Sequence, residues 1–131
     1  NTLGVLNLGD GSLTTLIEDP IEGTGYAFYD VRAGDGVFAW VEMNFANASW
    51  KLYAQNLAGS SLTGNAVELD RGGENYDPPL FTAYGSSVIW YKIRPAAPRR
   101  VTIRTATVSR PASPSLRLFG SRRAVSHPPR V

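Results

Sequence analysis

Cysteine is absent from the 131-residue chain, which excludes a disulfide framework, a thiolate metal site and a cysteine nucleophile. Histidine occurs once, at His127, so a two-histidine metal site is excluded and a Ser/His/Asp arrangement would depend on that single side chain. No apolar run approaches the roughly 20 residues that carry a helix across a bilayer. Acids stop at Asp77 and lysines at Lys92. The chain opens at Asn1, so the lack of a leader sequence carries no information about location. What remains, 43% apolar and 18% charged, has the proportions of one domain at most.

The formal net charge of +2 averages two unlike parts. Residues 1–93 hold all eleven acids against four bases (Arg32, Lys51, Arg71 and Lys92), a net of −7. Residues 94–131 hold nine arginines and no acid, a net of +9, with six of the nine prolines. A shift this abrupt predicts a boundary near Ile93, between an acidic body (1–93) and a basic tail (94–131).

The body repeats. Val37-Phe38-Ala39-Trp40-Val41-Glu42 is echoed by Val88-Ile89-Trp90-Tyr91-Lys92, with the tryptophans 50 residues apart. Leu3 to Leu8, followed by Leu16-Ile17-Glu18-Asp19, is echoed by Leu52 to Leu57, followed by Val67-Glu68-Leu69-Asp70, with Asn7 and Asn56 49 apart. Two unrelated segments thus return one period. Its units are short, rich in β-favouring residues and punctuated by turn chemistry at Asp10-Gly11, Asp35-Gly36, Gly59-Ser60-Ser61 and Gly85-Ser86-Ser87. These features predict strands over 3–8, 13–17, 26–31, 37–43, 50–57, 65–69, 80–84 and 87–93. Pro20 and Pro78-Pro79 fall between them, where a missing N–H is harmless.

Four short strands every ~50 residues predict an all-β chain of propeller blades, each a four-stranded antiparallel sheet packed on its neighbours. The body would hold the outer half of one blade, a whole blade at about 26–69 and the inner half of the next. Because propellers close with about four to eight blades, this count leads us to expect a piece of a longer protein.

The stretch Ala33-Gly34-Asp35-Gly36-Val37-Phe38-Ala39-Trp40, then Trp50 to Leu57 and Leu62-Thr63, resembles the TolB-like propeller repeat. In that family a Ser-Pro-Asp-Gly turn enters an apolar strand, and an aromatic-rich strand ending in Asp/Asn-Leu precedes a closing Leu-Thr. Ala33-Gly34 replaces Ser-Pro here, and Tyr84-Gly85-Ser86-Ser87 in the next unit lacks the aspartate. The resemblance covers residues 1–93. It implies a bacterial envelope or extracytoplasmic setting, with a protein or small ligand held at the propeller loops.

The tail does not read as the turn and two strands that would complete the third blade. Arg99-Arg100, Arg122-Arg123 and Pro128-Pro129 set much like charge beside few large apolar side chains, the composition of an irregular, disordered segment. Val101-Thr102-Ile103 and Thr105–Val108 are its strand-like exceptions. Two origins compete: a G+C-rich gene translated out of frame, and an arginine-rich arm binding nucleic acid or an anionic membrane by counterion release. Only the second would make nucleic acid a partner.

Among the acids, Asp19, Glu22, Asp30, Asp35, Glu68, Asp70, Glu74 and Asp77 are the candidates for chemistry. The run from Asp70 to Asp77 offers carboxylates for calcium but lacks the ligand spacing of an EF-hand, and reads better as a solvated connection. Trp40, Trp50, Trp90, Tyr53, Tyr76 and Tyr91 are expected mostly in inter-blade packing, with Trp50 and Tyr76 the better placed for exposure and ligand stacking. Asn47-Ala48-Ser49 fits a glycosylation acceptor and marks the 44–49 hairpin as exposed. Gly23-Thr24-Gly25 and Gly72-Gly73 lack the following helix and lysine of a phosphate-binding loop. No catalytic, cofactor or metal residue is assigned. The function expected is a non-catalytic scaffold or binding module. The alternative is the propeller domain of an enzyme, gating a serine peptidase or forming a glycan-active wheel, with its chemistry elsewhere.

Overall fold

The computed structural model describes residues 1–108 in full and the backbone of residues 116–124. The described residues form ten strands and no helix: β1 (Leu3–Leu6), β2 (Leu13–Ile17), β3 (Tyr26–Ala33), β4 (Val37–Asn44), β5 (Ser49–Ala58), β6 (Ser61–Gly72), β7 (Leu80–Tyr84), β8 (Ser87–Arg94), β9 (Arg100–Val108) and β10 (Leu116–Ala124). All pairings are antiparallel between chain neighbours, giving a β1–β2 hairpin and two four-stranded meanders, β3–β6 and β7–β10.

The sheets stack, and the stacking explains the sequence pattern. From Val37 to Glu42 every residue of β4 is buried, because both faces of its sheet are covered. Val37, Ala39 and Val41 face the β7–β10 sheet, meeting Phe81, Val88, Trp90, Ala106 and Val108 in one core. Phe38 and Trp40 point the other way, with Tyr53, onto Leu3, Val5, Leu16 and Ile17 of the hairpin. A strand covered on both sides needs no polar alternation, so it reads as a continuous apolar run. Strands meet in chain order across the central interface: β3 on β7, β4 on both β7 and β8, and β5 on β9.

Glycine permits the close approach at one end of this interface. The Gly36 N–H donates to the Gly85 carbonyl at 2.8 Å, joining the β3–β4 turn to the β7–β8 turn. A Cβ on Gly34 would lie 2.5 Å from that same carbonyl oxygen, a contact that no other residue type can make.

The eight predicted strands are present, and β6 is longer than predicted. Its polar ends stay paired, Thr63 with Asn56 and Arg71 with Lys51, through two register irregularities that keep the long β5–β6 ladder together. The expectation of an irregular tail is corrected over Arg100–Val108 and Leu116–Ala124, which form β9 and β10 and complete the second four-stranded sheet. Six of the nine β9 residues are β-branched, and Ala106 and Val108 are buried in the central core. The Val108 N–H donates to Ser86 O at 2.8 Å, repeating the bond from Leu57 N–H to Gly36 O at 3.1 Å one period earlier. The remainder of the tail, with His127 and Pro128-Pro129, lies outside the described residues.

Candidate functional site

Two carboxylates are buried between the sheets, each beneath an indole. Glu42 is fully buried on β4. It accepts from Trp40 Nε1 at 2.9 Å and caps the β2–β3 connection by accepting from Ile21 N at 2.8 Å and Glu22 N at 2.9 Å. Asp70 sits at the end of β6, accepting from Trp90 Nε1 at 2.9 Å, Lys92 Nζ at 2.8 Å and Arg104 Nη1 at 3.1 Å. Register makes the relation plain: β4 pairs Trp40 with Tyr53, and β8 pairs Trp90 with Arg104. The indole recurs with the period, while its carboxylate comes from the same strand in one sheet and from the neighbouring sheet in the other. Lys92, matched to Glu42 by the repeat, takes the opposite charge. Its ammonium also lies 4.8 Å from the Tyr76 ring centre and 5.8 Å from that of Trp50, a cation held over two aromatic faces.

A second polar cluster lies on the β5–β6 edge. Lys51 Nζ contacts Glu22 at 2.7 Å and Glu68 at 3.4 Å. The Tyr53 hydroxyl donates to Glu22, and Arg71 holds Glu68 at 2.7 Å. The hydrogen bond from Lys51, then that from Tyr53, holds the Glu22 carboxyl below its usual range. Burial, reinforced by the adjacent Glu22 carboxylate, pushes the Tyr53 phenol well above its ordinary value. The hydrogen bond to Glu22 raises Lys51. These shifts keep each group in the protonation state that its partner requires, so the cluster serves as a cross-link.

The turns brought together at the central interface open a cleft of about 490 Å³ lined by Asp35, Gly36, Asn56, Thr63, Gly85 and Ser86, among others. Asp35 is exposed at its mouth and Asn56 is buried. The Thr63 hydroxyl is buried with no hydrogen-bond partner among the described residues. An unsatisfied buried hydroxyl costs about 1–3 kcal/mol, which a polar group entering the cleft would recover.

The candidate residues are therefore distributed unevenly. Asp35 lies at the cleft; Glu22 and Glu68 belong to the edge cluster; Asp70 is committed to three side-chain donors. Asp30 pairs with Arg32. Asp19, Glu74 and Asp77 are exposed, and among the described residues no three His, Cys, Asp or Glu side chains gather as a metal site. Trp40 and Trp90 are fully buried, as their spacing predicts, and Tyr91 is exposed.

Trp50 corrects the expectation of exposure: it is 1% exposed, because its indole lies against Gly72, its cross-strand partner, and donates to Tyr76 O at 3.2 Å. A Cβ on Gly72 would come within 2.5 Å of that ring, so Gly72 is a seat for an indole. Tyr76 is partly buried against the same core. At the 44–49 hairpin, Phe45, Ala46 and Asn47 are exposed, and the Asn47 side-chain carbonyl accepts from Ser49 N at 3.0 Å. Glu42 was not among the candidate acids, although one acid inside an otherwise apolar strand, two residues after a tryptophan, was its visible signal.

Comparison with protein-family models, with curated proteins and with solved structures finds no match.

Proposed function

We propose that the chain is a run of β-propeller blades of the TolB-like type, part of a larger wheel, acting as a non-catalytic scaffold. Its turn-end cleft is the place where a partner protein or small ligand binds. The observation that carries this reading is the face-to-face stacking of the two sheets in chain order, with β3, β4 and β5 over β7, β8 and β9. Radial repetition of such sheets is the propeller principle. The resemblance of the repeat adds an envelope-associated, extracytoplasmic setting.

The buried carboxylates favour a scaffold over a catalyst. Glu42 and Asp70 are each saturated by an indole and further donors, which fixes the layers without leaving a poised proton acceptor. The stack in turn holds Asp35 and Ser86 beside each other without spending ligand affinity on ordering them.

The test is a screen of small polar fragments against the ¹⁵N-labelled chain. Amide shifts concentrated at Gly36, Asn56, Thr63, Gly85 and Ser86 support the cleft. Shifts confined to other surfaces overturn it, and turnover of chromogenic esters or glycosides by the purified chain would establish the enzyme reading instead.

A further inference from the structure

Strand register gathers basic side chains at one end of the β7–β10 sheet, on the face turned toward β3–β6. Trp90 stands opposite Arg104, Lys92 opposite Thr102 and Arg94 opposite Arg100. Side chains directly opposite, or two residues apart along a strand, share a face, so these six lie together. Trp90 fixes which face this is, because it is buried in the core between the sheets. Lys92 already reaches the Arg71 carbonyl at 2.7 Å, one residue from the end of β6 at Gly72. Arg94 and Arg100, one step further along, therefore stand at the rim of the interface, the first partly buried and the second exposed. On the other side of β9, β10 pairs Arg123 with Thr102.

Four cations on this face meet one carboxylate, Asp70, which Lys92 and Arg104 share. Lys92 is further engaged by the Arg71 carbonyl and the Tyr76 ring. Arg94 and Arg100 form no ion pair among the described residues. The adjoining β6–β7 connection bonds to β8 through Asp77 N and Ile93 O at 3.0 Å, yet its acids, Glu74 and Asp77, are exposed and pair with neither arginine. Like charges directly opposite on adjacent strands destabilise the pair. Arg104 Nε is buried without a hydrogen-bond partner among the described residues, one of the marks of a bound ion.

The donors indicate which anion. Guanidinium forks match the oxygens of phosphate or carboxylate in pairs, and Thr102 adds a hydroxyl between the arginines of its strand. A phosphate monoester brings a charge of about −1.5 to −2 near neutral pH and three acceptor oxygens, so it can accept from both opposed arginines and the hydroxyl together. A carboxylate brings one charge and two oxygens, which leaves most of the excess positive charge in place.

We propose that the rim formed by Arg94, Arg100, Thr102 and Arg104 binds the phosphoryl group of a small phosphate monoester. The site lies at the opposite end of β8 from the cleft and is independent of it.

Titration of the ¹⁵N-labelled full chain with glycerol 3-phosphate at fixed ionic strength tests this. Saturable amide shifts are expected over residues 92–104, with the cleft amides unmoved. Arg94→Gln and Arg100→Gln should each weaken binding at least tenfold. Arg94→Lys and Arg100→Lys should weaken it severalfold, since they keep the charge and lose the fork. Arg32→Gln, at a cation already paired with Asp30, should leave binding unchanged. Near-UV dichroism of the buried tryptophans confirms that each variant is folded; should glutamine unfold the chain, the lysine variants decide by the same comparison. Shifts that do not saturate, or glutamine variants that bind like wild type, would overturn the proposal. So would equal affinity for dimethyl phosphate, or tighter binding of an oligonucleotide without terminal phosphate, either of which would assign the rim to a phosphodiester backbone instead.

Discussion

Joining the β3–β4 and β7–β8 turns covalently tests the layer register. A Cβ on Gly36 would lie 3.4 Å from Ser86 Cβ, at the short edge of the roughly 3.5–4.5 Å found in disulfides. The double variant Gly36→Cys/Ser86→Cys should therefore close an intramolecular bond under mild oxidation, and the cysteine-free background leaves no competing pairing. The bond closes a loop of about 50 residues, for which chain entropy gives about 4 kcal/mol. Crowding at the short Cβ separation should take back about 1–2 kcal/mol, leaving a net gain of about 2–3 kcal/mol. Thiol titration and a mass loss of about two hydrogens follow closure, and urea unfolding of oxidised against reduced protein gives the gain. With a slope of about 1–3 kcal/mol per molar, the midpoint should rise by about 1–2 M. Thiols that remain free in the folded protein, or that join only different chains, would refute the proposed contact between the turns.

Four further outcomes follow from the buried groups. Asp70→Asn should cost about 2–4 kcal/mol in urea unfolding, because Lys92 and Arg104 lose their shared counter-charge in a partly shielded site. Glu42→Gln should cost less, about 1–2 kcal/mol, since its donors are neutral and an amide oxygen in the place of Oε1 still accepts from Ile21 N and Trp40 Nε1. Stability should plateau near neutrality and fall at both extremes. Glu22, held low, loses its contribution as pH drops below the usual glutamate value of 4.5. Tyr53, held high, loses its own as pH rises past the ordinary tyrosine value of 10.0, when only the unfolded phenol ionises. Glu22→Gln should flatten the acid limb in pH-dependent melts. Truncation after Ile93 removes Ala106 and Val108 from the core and Arg104 from Asp70, and should abolish a cooperative thermal transition. An unchanged melt would return the tail to the status of an appendage.

Period and burial were legible where the information is local or repeated. The spacing of Trp40 and Trp90 announced two buried indoles, and the unbroken apolar run of β4 announced a strand covered on both faces. Trp50 was misread because its burial depends on Gly72, 22 residues away, which no strand pattern reveals. β9 was misread because arginine content outweighed its β-branched residues. The charge of Arg104 is compensated by Asp70, 34 positions earlier, so composition saw the cation without its partner. The cleft required the turns of two separate sheets to meet, which is a property of stacking and of no single segment.

The exchange of acid for base between Glu42 and Lys92 gives the layers a fixed order. Were the β3–β6 unit duplicated and its copy set in place of β7–β10, the counterpart of Glu42 would occupy the position of Lys92 and confront Asp70, anion against anion in a shielded site. Neighbouring units are thus keyed to one another like non-identical links, and recombination between them would be penalised although their strands superimpose in sequence. Repetition supplied the architecture, and the reversed charge assigns each unit its address.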